Sequence, residues 1–470
     1  MLEHSLDVMI GATWQKSTKV LFSQQGDLYA SDILLNSLKG AGNIRVPIDE
    51  MTDYKYVSLY GRVGYNWRQK YLINLTARRD GSSRFGPNNR FGNFGAAGAA
   101  WIFSEEKFLQ RVLPFLTFGK LRSSYGMTGS DAVQDYKFYD LYNLLDQTHQ
   151  GVPGFIPSNL YNPDFKWEST RKLEAAVELG FWNNRVSIEA SWYRNRSSNQ
   201  LIDYTMPDIT GFPSVLSNFG AVVQNKGWEG LIRLEPIHSQ RFKWNTSFNI
   251  SIPQSKLKRF EGIEDSPYAT FYKVGEPLSI QTLYIYSGVN SQTGVYEFLD
   301  VNKDGVISPL DGQLINPTEK RYYGGMTNTL QFKRIEFSLF LQYSNQPGFR
   351  YLPGLPGLRD VNQAVTVLDR WFTPGDQTNV QLFSAGNITA ADGDDTYHKY
   401  TQLAQSTFNS KDASFIRLKT LSISYLLQPD LLNKLKLQQV KLFVQGQNLL
   451  TFTGYSGLDP ETGSGLPPLR

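Results

Sequence analysis

Apolar and polar residues alternate with a period of two along much of the chain, which places one set of side chains on each face of a β-strand. Leu6, Val8, Ile10, Ala12 and Trp14 alternate with Ser5, Asp7, Gly11 and Thr13. Val57, Leu59, Val63, Tyr65 and Trp67 alternate with Ser58, Arg62, Asn66 and Arg68, and after a tight turn Tyr71, Ile73, Leu75 and Ala77 alternate with Asn74, Thr76 and Arg78. The same period runs through 173–181, 186–192, 228–234, 244–252, 335–343 and 440–448. It is weaker at 95–103, 117–126, 321–332 and 414–426, the last with a phase change near Lys419 that fits a bulge. The pattern predicts about thirteen strands of about ten residues, long for a soluble sheet and near the length that crosses a bilayer at a tilt.

The connections sharpen this expectation. Short ones are predicted at 68–70, 104–116, 182–185, 235–243, 333–334 and 427–439, and long ones at 15–56, 81–94, 127–172, 196–226, 253–320 and 345–413. Short periplasmic turns alternating with long outer loops are the mark of an antiparallel barrel in a bacterial outer membrane. An odd strand count would leave the tail GYSGLDPETGSGLPPLR as an outer loop, so at least one more strand is expected beyond Arg470.

Composition changes the picture little. In 470 residues, 14% aromatics and 40 glycines favour strands joined by turns. Basic and acidic residues nearly balance, at 47 against 43, so nothing points to a nucleic-acid surface. Cysteine is absent, which removes disulfides and thiolate chemistry, and His4, His149, His238 and His398 lie far apart without metal-binding spacing. No apolar run of about eighteen residues exists to make a membrane helix. MLEHSLDVMIGATW also lacks the basic start and apolar stretch of a signal peptide. Those two features alone read as a soluble cytoplasmic protein, and the strand pattern reads otherwise.

One stretch carries metal chemistry. DVNKDGVISPLDG places Asp300, Asn302 and Asp304 at positions 1, 3 and 5 of a calcium loop, Gly305 at the sharp bend, Val306 at the position that offers its carbonyl, and Asp311 at position 12. A hard cation takes about six to eight oxygens, and alternate residues of a tightly wound loop can supply them. Asp311 is one methylene shorter than the usual bidentate glutamate, which implies a retracted chain or weaker binding. GVYEFL before the loop and the Gly/Pro/Tyr-rich run after it offer no flanking helices, so a structural Ca2+ rather than a sensor is expected.

Other candidates are plainer. Tyr139, Tyr142, Phe155, Tyr161, Phe212, Tyr268, Phe271, Tyr272, Phe349 and Tyr351 fall in predicted outer loops, where they could stack on sugar rings or pack within the loops. RRDGSSRFGPNNR, from Arg78 to Arg90, lacks the strand-and-helix context of a phosphate loop and reads as a charged turn bracing the barrel interior. Glu174 and Glu178 face one side of a strand as lumen residues would, and Glu105 and Glu106 sit in a short turn. No catalytic constellation is expected from them, and the chain is read as a non-enzyme.

Several words then become familiar: RRDGSSRFGPNNRFGNF at 78–94, WIFSEEKFL at 101–109, LRSSYGMTGS at 121–130, NPDFKWEST at 162–170, NKGWE at 225–229, YYGGMTNTLQFKRIEFSLFLQY at 322–343, DASFIRLKTLSISY at 412–425 and VQGQNLLTFTGYSGLDPE at 444–461. With these the chain resembles the carboxy-terminal barrel portion of SusC/RagA-family TonB-dependent outer-membrane transporters. The resemblance implies an all-β transmembrane antiparallel β-barrel, here about thirteen of about 22 strands with long extracellular loops. It implies that 1–470 is one barrel part without the plug domain and the last strand. It further implies import of oligosaccharides, with a SusD-like surface lipoprotein as lid, the TonB complex acting through the plug, and outer-membrane lipid around the wall. The alternatives are a RagA-like peptide importer, a secreted calcium-stabilised carbohydrate-binding or hydrolytic β protein, and a non-functional gene remnant.

Overall fold

The computed structural model describes residues 3–463, apart from 207, 213, 313, 353, 360, 387–394 and 429–435. All thirteen predicted strands are present, and they form one sheet in which each pairs antiparallel with the next along the chain. They are β1 (His4–Asp27), β2 (Asn43–Trp67), β3 (Tyr71–Ser82), β4 (Phe91–Trp101), β5 (Leu116–Ser130), β6 (Glu168–Phe181) and β7 (Val186–Ser198). There follow β8 (Val222–His238), β9 (Phe242–Arg259), β10 (Tyr322–Phe332), β11 (Ile335–Asn345), β12 (Phe415–Leu426) and β13 (Lys441–Thr453).

The predicted alternation separates the two faces of this sheet. Paired residues share a face, so the register Ile73–Ala99–Ser123–Ala175–Trp192–Trp228 crosses six strands as one row. The next row is Tyr71–Trp101–Leu121–Val177–Ala190–Gly230. This face is apolar and bare: Ile10 is 80% exposed, Trp14 78% and Val444 79%. Each large apolar side chain left in water forfeits roughly 1.5–3 kcal/mol, so a band of this extent marks a surface that meets lipid. A soluble β protein has no use for such a belt. The opposite face carries Arg62, Arg78, Arg122, Glu174, Glu178 and Arg417.

Short and long connections segregate to opposite ends, as predicted. At one end lie 68–70, 102–115, 182–185, 239–241, 333–334 and 427–440; at the other lie 28–42, 83–90, 131–167, 199–221, 260–321 and 346–414. The turns at the first end use residues that tolerate left-handed backbone, among them Asn183 (φ 57°) and Asn184 (φ 62°).

One expected connection needs correction. The long connection predicted at 15–56 is mostly strand: pairing continues from Gln15↔Tyr56 to Asp27↔Asn43 and leaves only 28–42 as its tip. That extension is solvated, so alternation no longer has to hide one face, and polar pairs such as Lys16 with Asp53 and Arg45 with Asp27 line it. The long loops also contain short strand pairs of their own: hairpins at 141–159, 200–219 and 286–298, and pairings of 280–283 with 314–317 and of 347–349 with 410–412.

The phase change at Lys419 is a bulge. Leu418 pairs with Leu341 and Thr420 with Phe340, so Lys419 has no counterpart on β11. On the other side Leu418 pairs with Leu450 and Thr420 with Gln447.

With the apolar face turned to lipid, buried apolar clusters gather in the long loops and at the strand ends that carry them. Phe85, Phe94, Phe138, Phe165 and Trp167 form one, Ala221, Val223, Leu257, Phe260 and Ile263 a second, and Tyr284, Tyr296, Phe298 and Leu403 a third.

Candidate functional site

The polar face of β5–β7 holds a compact ion network. Arg122 on β5 stands opposite Ala176, whose small side chain lets the guanidinium lie across β6 between Glu174 and Glu178. Its Nε donates to Glu178 at 3.0 Å, Nη2 to Glu189 on β7 at 3.2 Å, and Nη1 to Glu174. Lys120 adds a bond to Glu178 at 3.2 Å. Glu178 and Glu189 are directly paired across β6 and β7, a repulsive arrangement that Arg122 offsets by bonding both. The expected shared face of Glu174 and Glu178 is therefore present.

A second cluster was not foreseen. Arg417 on β12 is 1% exposed and donates from Nη2 to Asp459 at 2.5 Å, from Nη1 to Glu461 at 2.5 Å and from Nε to Thr451 Oγ1 at 2.9 Å. Lys419 bonds Glu461 at 2.8 Å, and Gln346 donates to the Pro460 carbonyl at 2.5 Å. The segment after β13, predicted as an outer loop, thus folds back over the polar face. Its turn-rich word GLDPETG is the one sequence signal that could have indicated this; 464–470 lie outside the described residues.

The arginine-rich turn behaves as the predicted brace. Arg78 donates to Asp80 at 2.7 Å, and buried Asp80 accepts from Ser58 at 2.6 Å. Arg84 reaches the 131–167 loop through Asp135 at 2.8 Å and the Asp131 carbonyl at 3.0 Å, while its guanidinium lies 4.3 Å over the Tyr54 ring. In the short turn after β4, Glu106 accepts from Lys70, Tyr71 and Trp101 at 3.3, 2.7 and 3.3 Å. The Tyr71 hydroxyl foremost holds the Glu106 carboxyl below the usual carboxylate range. The histidines stay apart: His4 meets Tyr65, His238 meets Glu235, and His398 meets Gln402. The side chain of His149 is outside the described residues.

The outer-loop aromatics divide in two. Tyr268 and Tyr272 pack on the second apolar cluster, and Phe212 is half-buried. Tyr142 (59% exposed) and Phe155 (70%) project from the 141–159 hairpin, and Tyr139, Tyr161, Phe271, Phe349 and Tyr351 are also exposed.

The 300–311 loop is wound tightly on its own backbone amides. Gly305 adopts φ 86°, a region that an L side chain would strain, and its amide donates to Asp300 at 2.8 Å. Asp300 also accepts from the Lys303 amide at 2.6 Å, Asn302 Oδ1 from the Asp304 amide at 3.0 Å, and Asp304 from the Val306 amide at 2.8 Å. Asp311 is buried, and both of its oxygens face loop amides: Ser308 at 2.9 Å, Val301 at 2.8 Å and Asn302 at 3.3 Å. Those bonds, Ser308 foremost, hold its carboxyl below the usual range. Asp311 therefore ties the loop's backbone from within, while Asp300, Asn302 and Asp304 stand on the exposed side. Among the described residues no three His, Cys, Asp or Glu side chains are already gathered as a metal site.

The model of the family described as "TonB dependent receptor-like, beta-barrel" matches residues 2–449. TonB-dependent receptor P3 of Formosa agariphila is 28% identical over 97% of this chain and 47% of its own length. TonB-dependent receptor SusC of Bacteroides thetaiotaomicron is 26% identical over 87% of this chain and 42% of its own. A solved structure described as the RagAB peptide transporter superposes with a TM-score of 0.85 at 23% identity, covering 99% of this chain and 51% of that one. The chain spans about half the length of these relatives.

Proposed function

Since the chain belongs to the TonB-dependent receptor β-barrel family and is an outer-membrane protein, we propose that it forms wall and outer loops of a SusC/RagA-type importer for oligosaccharides. In this reading the polar face of β5–β7 and β12 lines the path, and the outer loops take substrate together with a SusD-like lipoprotein lid. TonB would act through a plug domain outside this sequence. The observation that supports a glycan is the exposed aromatic pair on the 141–159 hairpin, Tyr142 and Phe155, whose faces suit the apolar face of a pyranose ring.

A peptide substrate is the second reading, favoured by the description of the solved relative as a peptide transporter. Calorimetry of the full-length protein with its lipoprotein lid, titrated with oligosaccharide and with peptide mixtures, separates the two. Oligosaccharide binding that weakens in a Tyr142→Ala/Phe155→Ala variant upholds the glycan reading. Peptide binding alone overturns it.

For the 300–311 loop we propose a structural Ca2+ held by Asp300, Asn302, Asp304 and the Val306 carbonyl, supported by the left-handed Gly305 at the sharp bend. Asp311, expected as a fifth ligand, would serve there only after giving up backbone amides.

A further inference from the structure

The apolar face carries a depression of about 910 Å3 spanning β3–β8. Its floor is small, with Ala99 and Ala175 in one cross-strand row and Ala190 in the next, and its edges are Trp101, Trp192 and Trp228. Neighbouring strands lie about 4.8 Å apart, so successive small positions open a channel wide enough for a hydrocarbon chain. Tyr71 and Trp101, at the short-turn ends of β3 and β4, set the depression toward the periplasmic half of the wall.

Beyond its Tyr71 and Trp101 rim, the connection between β4 and β5 forms a short helix, Lys107–Val112. Both of its ends are fixed to the apolar side of the wall. Glu106, which precedes it, accepts hydrogen bonds from Tyr71 and Trp101, and Phe115, which comes after it, stacks on Phe181 at 6.1 Å and Trp182 at 6.3 Å. Phe108 (61% exposed) and Val112 (70%) occupy one side of the helix, a spacing of four residues that suits partial insertion at a membrane interface. Lys107 and Arg111, also four apart and exposed, make no ion pair among the described residues. An apolar trough whose rim residues Tyr71 and Trp101 bond Glu106, the residue just before a helix with two exposed cations, combines the two features that an anionic phospholipid takes.

We propose that this surface is a binding site for one anionic phospholipid of the periplasmic leaflet, its acyl chain on Ala99, Ala175 and Ala190 and its phosphate on Lys107 and Arg111. The site is independent of what the protein transports, because it lies on the other face of the wall. A generic lipid annulus would not discriminate headgroups; this arrangement does.

Native mass spectrometry of the full-length protein in non-ionic detergent tests the site, with phosphatidylglycerol, phosphatidylcholine of the same acyl chains, or inorganic phosphate added. Phosphatidylglycerol should be retained best and inorganic phosphate not at all. Lys107→Ala/Arg111→Ala should weaken phosphatidylglycerol retention by roughly 25-fold, about fivefold for each lost charge, and leave phosphatidylcholine unchanged. Ala175→Phe/Ala190→Phe, which fills the trough, should reduce both lipids. Equal retention of the two lipids by the unaltered protein overturns the proposal, as does phosphate binding without lipid. Undiminished phosphatidylglycerol in the alanine variant does the same, and this variant decides the matter even where the phenylalanine variant fails to assemble.

Discussion

The Arg417 guanidinium and the Asp459 carboxylate meet at 2.5 Å on the polar face, joining the long-loop end of β12 to a segment beyond the last described strand. Both side chains are almost wholly buried, and Glu461 and Thr451 complete the set around the guanidinium.

A buried charge stripped of its partner is costly. Arg417→Met leaves Asp459 without its cation and should lower stability by about 3–5 kcal/mol. The double change Arg417→Met/Asp459→Leu should recover much of that loss, since neither charge is then stranded. Denaturant unfolding in micelles measures both, and protease cleavage within 454–463 should rise in the single variant. Equal destabilisation by the single and double variants would show that the pair matters for packing only.

Arg122 has a different task, because the groups around it are about a third exposed. Without it, Glu178 and Glu189 face each other with Lys120 as the remaining cation. Arg122→Met should cost roughly 1–2 kcal/mol at low ionic strength and less at high salt, where repulsion is screened. Urea midpoints at two salt concentrations check this. A penalty that does not change with salt would rule out repulsion as its cause.

The Asp311 carboxyl is held below its ordinary range in the folded loop, so ionisation favours the folded form. Its contribution is full above the unfolded-state value of about 4 and disappears as pH falls through the lower folded-state value. Exchange protection of the Val301, Asn302 and Ser308 amides, corrected for intrinsic rates, should exceed that of Asp311→Asn at pH 7. The two should converge at strongly acidic pH. Equal protection at pH 7 would remove Asp311 from the account of the loop.

Calcium gives a separate test of the same loop. Calorimetric titration of the full-length protein should show a site that Asp300→Ala/Asp304→Ala abolishes. Asp311→Asn should weaken that site indirectly, by loosening the backbone that presents Asp300 and Asp304. Ion binding unchanged in the double variant would exclude these residues as ligands.

The positions of water and lipid decide how much of this fold is legible in its residues. Within the bilayer every strand must turn one face to hydrocarbon, so Ile73, Leu75 and their equivalents alternate and the thirteen strands can be read, more weakly in β4, β5, β10 and β12, where the phase changes at Lys419. Past the membrane the β1–β2 ladder is wet on both faces, and Gln15–Asp27 loses its alternation while keeping its backbone pairing. The shared face of Glu174 and Glu178 was readable from parity alone. Their bond to Arg122 was not, because β5 finds β6 across the 131–167 loop. The Arg417 cluster was hidden for the same reason, since its partner lies 42 positions further on.

The bulge at Lys419 can be treated as a rule of indels. Inside a two-faced strand the loss of one residue reverses every side chain beyond it, sending apolar groups into the lumen and charges into lipid. Leu418 and Leu421 already share the apolar side around the bulge, so excising Lys419 restores plain alternation and leaves both flanks correctly turned. The strand therefore contains one position where a codon can be lost without inverting the remainder of the strand, at the expense of the Lys419 bond to Glu461 and of a wider irregularity against β13, where the partners Leu450 and Gln447 already lie three apart. Elsewhere in β12 the frame of the faces is as unforgiving as the frame of the gene.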